Sequence, residues 1–86
     1  MPEAGYPEGA VSRADIVELA GLFDRFEFAI DPTSEDCRLA EAWFEDRVRQ
    51  LYATKVVAAF PMVSLTLFRC RVRSLCRAYF KRNKAG

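Results

Sequence analysis

The sequence predicts an all-α fold, a small bundle of three main helices. Apolar residues recur every three or four positions along most of the chain, and helix-capping side chains precede the first two periodic stretches. Two internal prolines separate the stretches. The 86 residues are 51% hydrophobic and include seven Phe, three Tyr and one Trp, which is enough apolar material for one core. The three predicted helices span about residues 12–30, 33–60 and 61–83.

The domain organisation follows from the start of this periodicity. Residues 1–11 are predicted to be a flexible leader, because two Pro and two Gly occur in the first ten positions and no apolar period is present. The leader also lacks the basic and apolar regions of a secretory signal. Residues 12–86 are expected to form a single helical domain. A chain of 86 residues buries only a limited fraction of its surface when it folds alone. We therefore expect oligomerisation to cover further apolar surface and complete the bundle.

The first helix has a clear predicted start and a less definite end. Ser12 and Asp15 have the spacing of a capping box, in which each side chain accepts a hydrogen bond from the other residue's backbone N–H. Val11 and Ile16 stand at the positions of a hydrophobic staple around this cap. At the other end, residues 26–30 also alternate as a short strand does, which leaves the last turn open.

The second helix is bounded by two prolines. Pro32 disfavours helical geometry at the preceding residue, so the first helix must end before it. Pro61 has the same effect on Phe60, where we place the end of the second helix. Three neighbouring residues are candidate N-caps for this helix, namely Asp31, Thr33 and Ser34.

The third element has two interpretations. Residues 65, 68, 72, 75 and 79 are apolar and spaced by three and four, which is typical of a helix with one apolar seam. Within residues 62–73, however, Phe68, Cys70 and Val72 alternate with arginines, as in a strand. We predict a helix, because this interpretation accounts for a longer stretch of sequence. A strand over residues 62–73 remains the alternative.

Charge is segregated along the chain even though the formal net charge is only +1. All 12 acidic residues lie in residues 1–46, whereas residues 47–86 contain ten of the 13 basic residues. On a helix, the basic residues of the C-terminal element flank its apolar seam. This arrangement permits three interpretations: the basic helix binds nucleic acid, it lies on anionic lipid, or it neutralises the acidic half of the same protein.

Enzymatic chemistry is disfavoured by the residue types present. The chain has no His, which is the commonest general base and metal ligand, and its three Cys have no metal-binding or redox spacing. We therefore predict no catalytic residues, no metal site and no cofactor. Cys70 is expected among arginines on the exposed side of the third helix, where positive charge favours a thiolate, but an ordinary unreactive thiol is the preferred interpretation. The unpatterned cysteines favour a cytoplasmic location, and the most apolar stretch, residues 56–68, is too short to span a bilayer.

The resulting prediction of function is a non-enzymatic helical interaction module. It self-associates, with a dimer expected, or docks on a protein partner through its apolar helix faces. The predicted interface residues are Trp43, Phe44, Phe60, Met62, Leu65 and Phe68. The alternative is a nucleic-acid or other polyanion-binding protein, whose predicted contact residues are Arg69, Arg73, Arg77 and Lys81.

Overall fold

The computed structural model is an all-α bundle of three helices, as predicted, and describes residues 11–85, with side chains described for 11–82. Helix α1 is Arg13–Glu27, α2 is Glu35–Leu51 and α3 is Leu65–Ala85. A π-helical turn, Tyr52–Val56, extends α2. No strand occurs in this part of the chain, so the strand interpretation of residues 62–73 is wrong. Residues 1–10 of the predicted leader lie outside the described residues, and its last residue, Val11, packs in the core.

Both predicted N-terminal caps are present. The Ser12 hydroxyl accepts a hydrogen bond from the Asp15 backbone at 3.1 Å, and the Asp15 carboxylate accepts one from the Ser12 backbone at 3.3 Å. Of the three candidate caps of α2, Ser34 fills the position and accepts from the Cys37 backbone at 3.2 Å. Asp31 instead accepts two hydrogen bonds from Thr33, which closes the turn before the cap.

The helix boundaries nearest the prolines differ from the prediction. Helix α1 ends at Glu27, three residues early, because Phe28 leaves the helical conformation and its ring meets Phe80 of α3. Helix α3 begins at Leu65 instead of residue 61, because the Ser64 hydroxyl accepts from the Leu67 backbone at 3.1 Å and satisfies the first turn. The second helix stops being regular at Leu51, where the π turn adds a residue to the turn.

The core lies between α1 and its two neighbours. The salt bridges Arg25 to Asp36 and Arg47 to Asp15 join opposite ends of α1 and α2, which shows that these helices are antiparallel. Helix α3 packs across the pair. The largest fully buried side chains include one Phe from each helix, Phe23, Phe44 and Phe68. Rings from α1 and α2 contact one another in this core, with centroids of Phe23 and Phe44 5.7 Å apart.

Candidate interaction surfaces

The arginines in the first half of α3 are paired inside the bundle. The Glu45 carboxylate on α2 accepts from the guanidinium of Arg69 at 3.3 Å and from that of Arg73 at 3.0 Å. All three side chains are at least two-thirds buried. The Arg73 guanidinium carbon also lies 5.5 Å from the ring centroid of Phe26 and 5.6 Å from that of Phe44, within the range of cation–π attraction. These arginines therefore join α3 to the other two helices.

The remaining predicted polyanion contacts lie further along α3. Arg77 donates to the Glu27 carboxylate at 3.2 Å, and its guanidinium carbon lies 5.5 Å from the ring centroid of Phe23. Lys81 is exposed and joins no ion pair among the described residues. Three of the four predicted residues thus bind acids of the same chain. This pairing supports the interpretation in which the basic helix neutralises the acidic half of the protein.

A second charge cluster is centred on Asp15 at the start of α1. Arg47 donates to Asp15 Oδ1 at 3.2 Å, and Lys55 donates to Oδ2 at 3.4 Å. Burial raises the pKa of the Asp15 carboxyl, but hydrogen bonds from Ser12 and Lys55 and the Lys55 charge outweigh burial and hold the pKa below its usual value. Asp15 therefore caps α1 and also ties it to the C-terminal end of α2 and to the π turn.

The six predicted interface residues divide into three groups. Phe44 and Phe68 are completely buried, so in the folded chain they have no surface to offer a partner. Phe60 and Leu65 are partly buried and pack against the core. Trp43 and Met62 are exposed, at 52% and 92% respectively. The prediction that Phe44 and Phe68 lie at an interface is wrong, because each faces the core from its helix and contacts another aromatic ring.

An unbroken run of apolar residues, most of them exposed, lies between α2 and α3. We call residues 57–62 the apolar connection; its sequence is VAAFPM, and every residue except Phe60 is exposed. Val57, at its start, is 46% exposed, whereas its neighbour Val56 is fully buried. The widened π turn produces this change, with the Val57 backbone donating to the Tyr52 carbonyl at 2.9 Å.

Hydrogen bonds hold the apolar connection at both ends. The Phe60 backbone donates to the Val56 carbonyl at 2.7 Å, and the Val63 backbone donates to the Phe60 carbonyl at 3.0 Å. The Tyr52 hydroxyl donates to the Val63 carbonyl at 2.7 Å, which links the π turn to the backbone two residues before α3. These bonds fix the path of the backbone through the connection.

Two open grooves lie elsewhere on the bundle. One, of about 560 Å³, is lined by Phe28 and by the C-terminal half of α3. The other, of about 580 Å³, lies between α1 and α2 beside Trp43, over whose ring the Arg25 guanidinium carbon stands 5.7 Å from the centroid. The sequence gives no signal for the first groove, because Phe28 falls within the predicted first helix and faces α3 only after that helix ends early.

The three cysteines occupy different environments and are all free thiols. Cys37 is buried, and its sulfur donates to the Phe26 carbonyl at 3.8 Å. Cys76 is also buried, and burial raises its thiol pKa to about 11 against the opposing influence of Arg73 and Arg77. Cys70 is exposed, in agreement with its predicted placement on the outer side of the helix.

Comparison of the chain with protein-family models, curated proteins and solved structures finds no match. The described side chains include no group of three or more Cys, Asp and Glu arranged to hold a metal ion. None of the described helices has the combined length and apolar character that crossing a membrane requires. The surfaces described above are therefore the basis for assigning a function.

Proposed function

We propose that this protein is a non-enzymatic helical interaction module that self-associates through the apolar connection. The observation that carries the proposal is the row of exposed apolar residues at 57–62, held on a hydrogen-bonded scaffold. Exposed apolar surface is removed from water when another protein covers it. Because hydrogen bonds already hold the backbone of the segment, covering it loses little further backbone entropy. The lack of His in the chain favours a binding function over acid–base catalysis.

A second copy of the chain is the proposed occupant because the surface carries no charge. Residues 56–68 contain no Asp, Glu, Lys or Arg, so two copies meeting there bring no like charges together. In a two-fold symmetric contact the same patch meets itself, which an uncharged apolar patch permits. A partner recognised by charge would find no complementary group on this segment. The connection therefore suits contact with itself better than contact with a strongly charged protein.

The expected strength of self-association is modest. Fully burying an exposed Val or Met side chain contributes about 2 kcal/mol. Val57 is 46% exposed and Met62 is 92% exposed, so covering both residues in two copies contributes about 5 to 6 kcal/mol. Association costs at least about 4 kcal/mol in lost translational and rotational freedom. The smaller apolar residues of the connection add to the favourable side. We therefore expect a weak dimer, with a Kd on the order of 1 mM, and mostly monomers at micromolar concentrations.

The test is the mass of the protein in solution as a function of concentration. Sedimentation equilibrium, or size-exclusion chromatography with light scattering, is expected to show a monomer that becomes a dimer as concentration rises. Met62→Glu and Val57→Glu place charge in the contact and are expected to keep the protein monomeric. Val17→Glu is the matched control, since Val17 is 45% exposed but lies on α1. Self-association is refuted if the wild type stays monomeric, and its assignment to the apolar connection is refuted if all three variants behave alike.

A further inference from the structure

The groove beside Phe28 combines an apolar floor with a basic rim. Its lining consists of Phe28, Ser74, Arg77, Ala78, Phe80 and Lys81. Five of these residues come from α3, and Ser74, Arg77, Ala78 and Lys81 follow one another at helical spacing along one side of the helix. Among the residues that the structure describes, the lining therefore contains two basic residues and no acidic residue.

Aromatic rings that contact one another form the floor of the groove. The rings of Phe28 and Phe80 meet edge to face, with centroids 5.8 Å apart. Phe28 also meets Phe23 of the core at 6.2 Å, and Phe80 meets Tyr79 at 5.6 Å. Phe28 is nevertheless 53% exposed. The floor is thus an ordered aromatic surface that remains accessible to another molecule.

The rim provides hydrogen-bond donors for carboxylates. One terminal nitrogen of Arg77 donates to Glu27, and a guanidinium group has five N–H donors in total. The Arg77 side chain is 54% exposed, so donors remain accessible from the groove side. Lys81, one turn further along α3, is exposed as well. Both cations are therefore placed to bind carboxylates while an apolar group rests on the floor.

We propose that this groove binds an acidic segment of a partner protein that inserts one large apolar side chain between the cations. The volume of about 560 Å³ is in the range of sites that enclose a small ligand or a large side chain. The charge of the rim is complementary to carboxylates and excludes basic segments. A membrane surface is a poorer match, because the described lining presents two cations around a concave surface. This partner is distinct from the second copy proposed for the apolar connection, so the two proposals stand independently.

The probe for this proposal is a short acetylated and amidated peptide that alternates Glu with Leu around a central Phe. We expect saturable binding to the full chain by isothermal titration calorimetry, with nuclear magnetic resonance shifts centred on Phe28 and Lys81. Peptides with Lys in place of Glu, or Ala in place of Leu and Phe, are expected not to bind. Vesicles of phosphatidylcholine and phosphatidylserine in equal amounts test the membrane alternative, and binding of vesicles without binding of the peptide overturns the proposal.

Two adjacent residues give a matched pair of charge reversals. Lys81→Glu changes the rim and is expected to weaken peptide binding by about tenfold. Arg82→Glu makes the same change at the next position, which does not line this groove, and is expected to alter binding by no more than about twofold at physiological salt. Circular dichroism confirms that both variants fold. Equal losses in the two variants overturn the proposal, because they indicate only a general attraction to the basic helix.

A variant of the floor keeps this test separate from the proposed function. Ala78→Glu places a carboxylate at an exposed helical position on the floor and is expected to abolish peptide binding. Its mass in solution should match that of the wild type, because the apolar connection is unchanged. Conversely, Met62→Glu should bind the peptide normally even if it no longer self-associates. Peptide binding that is retained by Ala78→Glu overturns the groove proposal whatever the oligomeric state.

Discussion

Replacing Glu45 with Ala tests whether the arginines of α3 act as internal partners. The substitution removes the carboxylate that binds both Arg69 and Arg73. It leaves two guanidinium groups, each at least two-thirds buried, without this acceptor. Exposed ion pairs contribute about 1 kcal/mol at most, and hydrogen bonds to charged groups contribute about 1.5 to 3 kcal/mol. Because these pairs are partly buried and share one carboxylate, we expect a loss of about 2 kcal/mol in the free energy of unfolding.

The measurement is urea unfolding of the full chain followed by circular dichroism. A loss of about 2 kcal/mol corresponds to a fall of roughly 8 to 16 °C in Tm for a domain of this size, so thermal unfolding provides a second reading. The matched control is Glu41→Ala, one turn earlier on α2, where the side chain is exposed and joins no ion pair among the described residues. We expect the control to change stability by less than about 0.5 kcal/mol. High salt should reduce the difference between the two variants only in part, because the Glu45 pairs are partly buried.

The same pair of variants bears on nucleic-acid binding. If Arg69 and Arg73 are held by Glu45, removing this acid frees them, and affinity for a polyanion such as heparin should rise relative to the wild type. Glu41→Ala changes the net charge by the same amount and should have a smaller effect. Equal stability of the Glu45 and Glu41 variants would contradict this prediction, because it would mean that the arginines gain nothing from the internal carboxylate.

Three further predictions follow from burial and protonation. Because the pKa of Asp15 is lower in the folded protein, ionised Asp15 contributes to stability above its unfolded pKa of 3.8, and this contribution is lost as pH falls through the folded pKa. Urea unfolding at a series of pH values should show this loss of stability. The Asp15→Ala variant should lack this pH dependence. Phe68→Ala should cost about 3 to 5 kcal/mol in unfolding experiments on dilute monomer, whereas an interface role predicts a change only in self-association. Maleimide should modify Cys70 in the native protein and modify Cys37 and Cys76 only after unfolding, as mass spectrometry of the labelled peptides would show.

Local features of the sequence predict the helix starts well because capping depends on neighbouring residues. The capping box at Ser12 and Asp15 is such a case, since all of its atoms lie within one turn. Helix ends are harder to place from a proline, which marks only the furthest point that a helix can reach. The cap at Ser64 is also local, but Ser64 lies within a mostly apolar stretch. The helical spacing of that stretch therefore does not show that the helix begins there. The early end of α1 depends on a contact with α3, which no local pattern reveals.

The apolar surfaces could be predicted only in part, and Trp43 and Phe44 show why. Both are large aromatic residues, and a helix directs neighbouring side chains about 100° apart, so only one of the two can face the core. Phe44 continues the series of buried residues on α2, whose other members are Cys37, Ala40, Val48 and Leu51. Trp43 does not belong to that series and is exposed. The spacing of the whole helix distinguishes them, whereas residue type alone does not.

The charge pattern could likewise be recognised without its pairing. Segregation of acids and bases is evident in the sequence, but the acids that meet the arginines lie 24 to 50 residues away from them. The i, i+4 spacing on α2 favours a pair between Glu45 and Arg49, yet Glu45 binds α3 instead. Only the packing of the three helices determines this choice. The sequence therefore indicates that acidic and basic residues of the same chain can pair, and the fold determines which arginines form these pairs.

The two proposed surfaces lie at different places along α3. The apolar connection immediately precedes Leu65, whereas Ala78 in the groove lies about 20 Å further along the helix at 1.5 Å per residue. Contact between two copies at the connection therefore leaves the groove of each copy accessible, and a dimer would present two grooves. A partner with two acidic segments would then bind the dimer more tightly than the monomer by an effective-concentration effect. Met62→Glu should abolish that gain while leaving the affinity of each single groove unchanged, which separates avidity from a change in the groove itself.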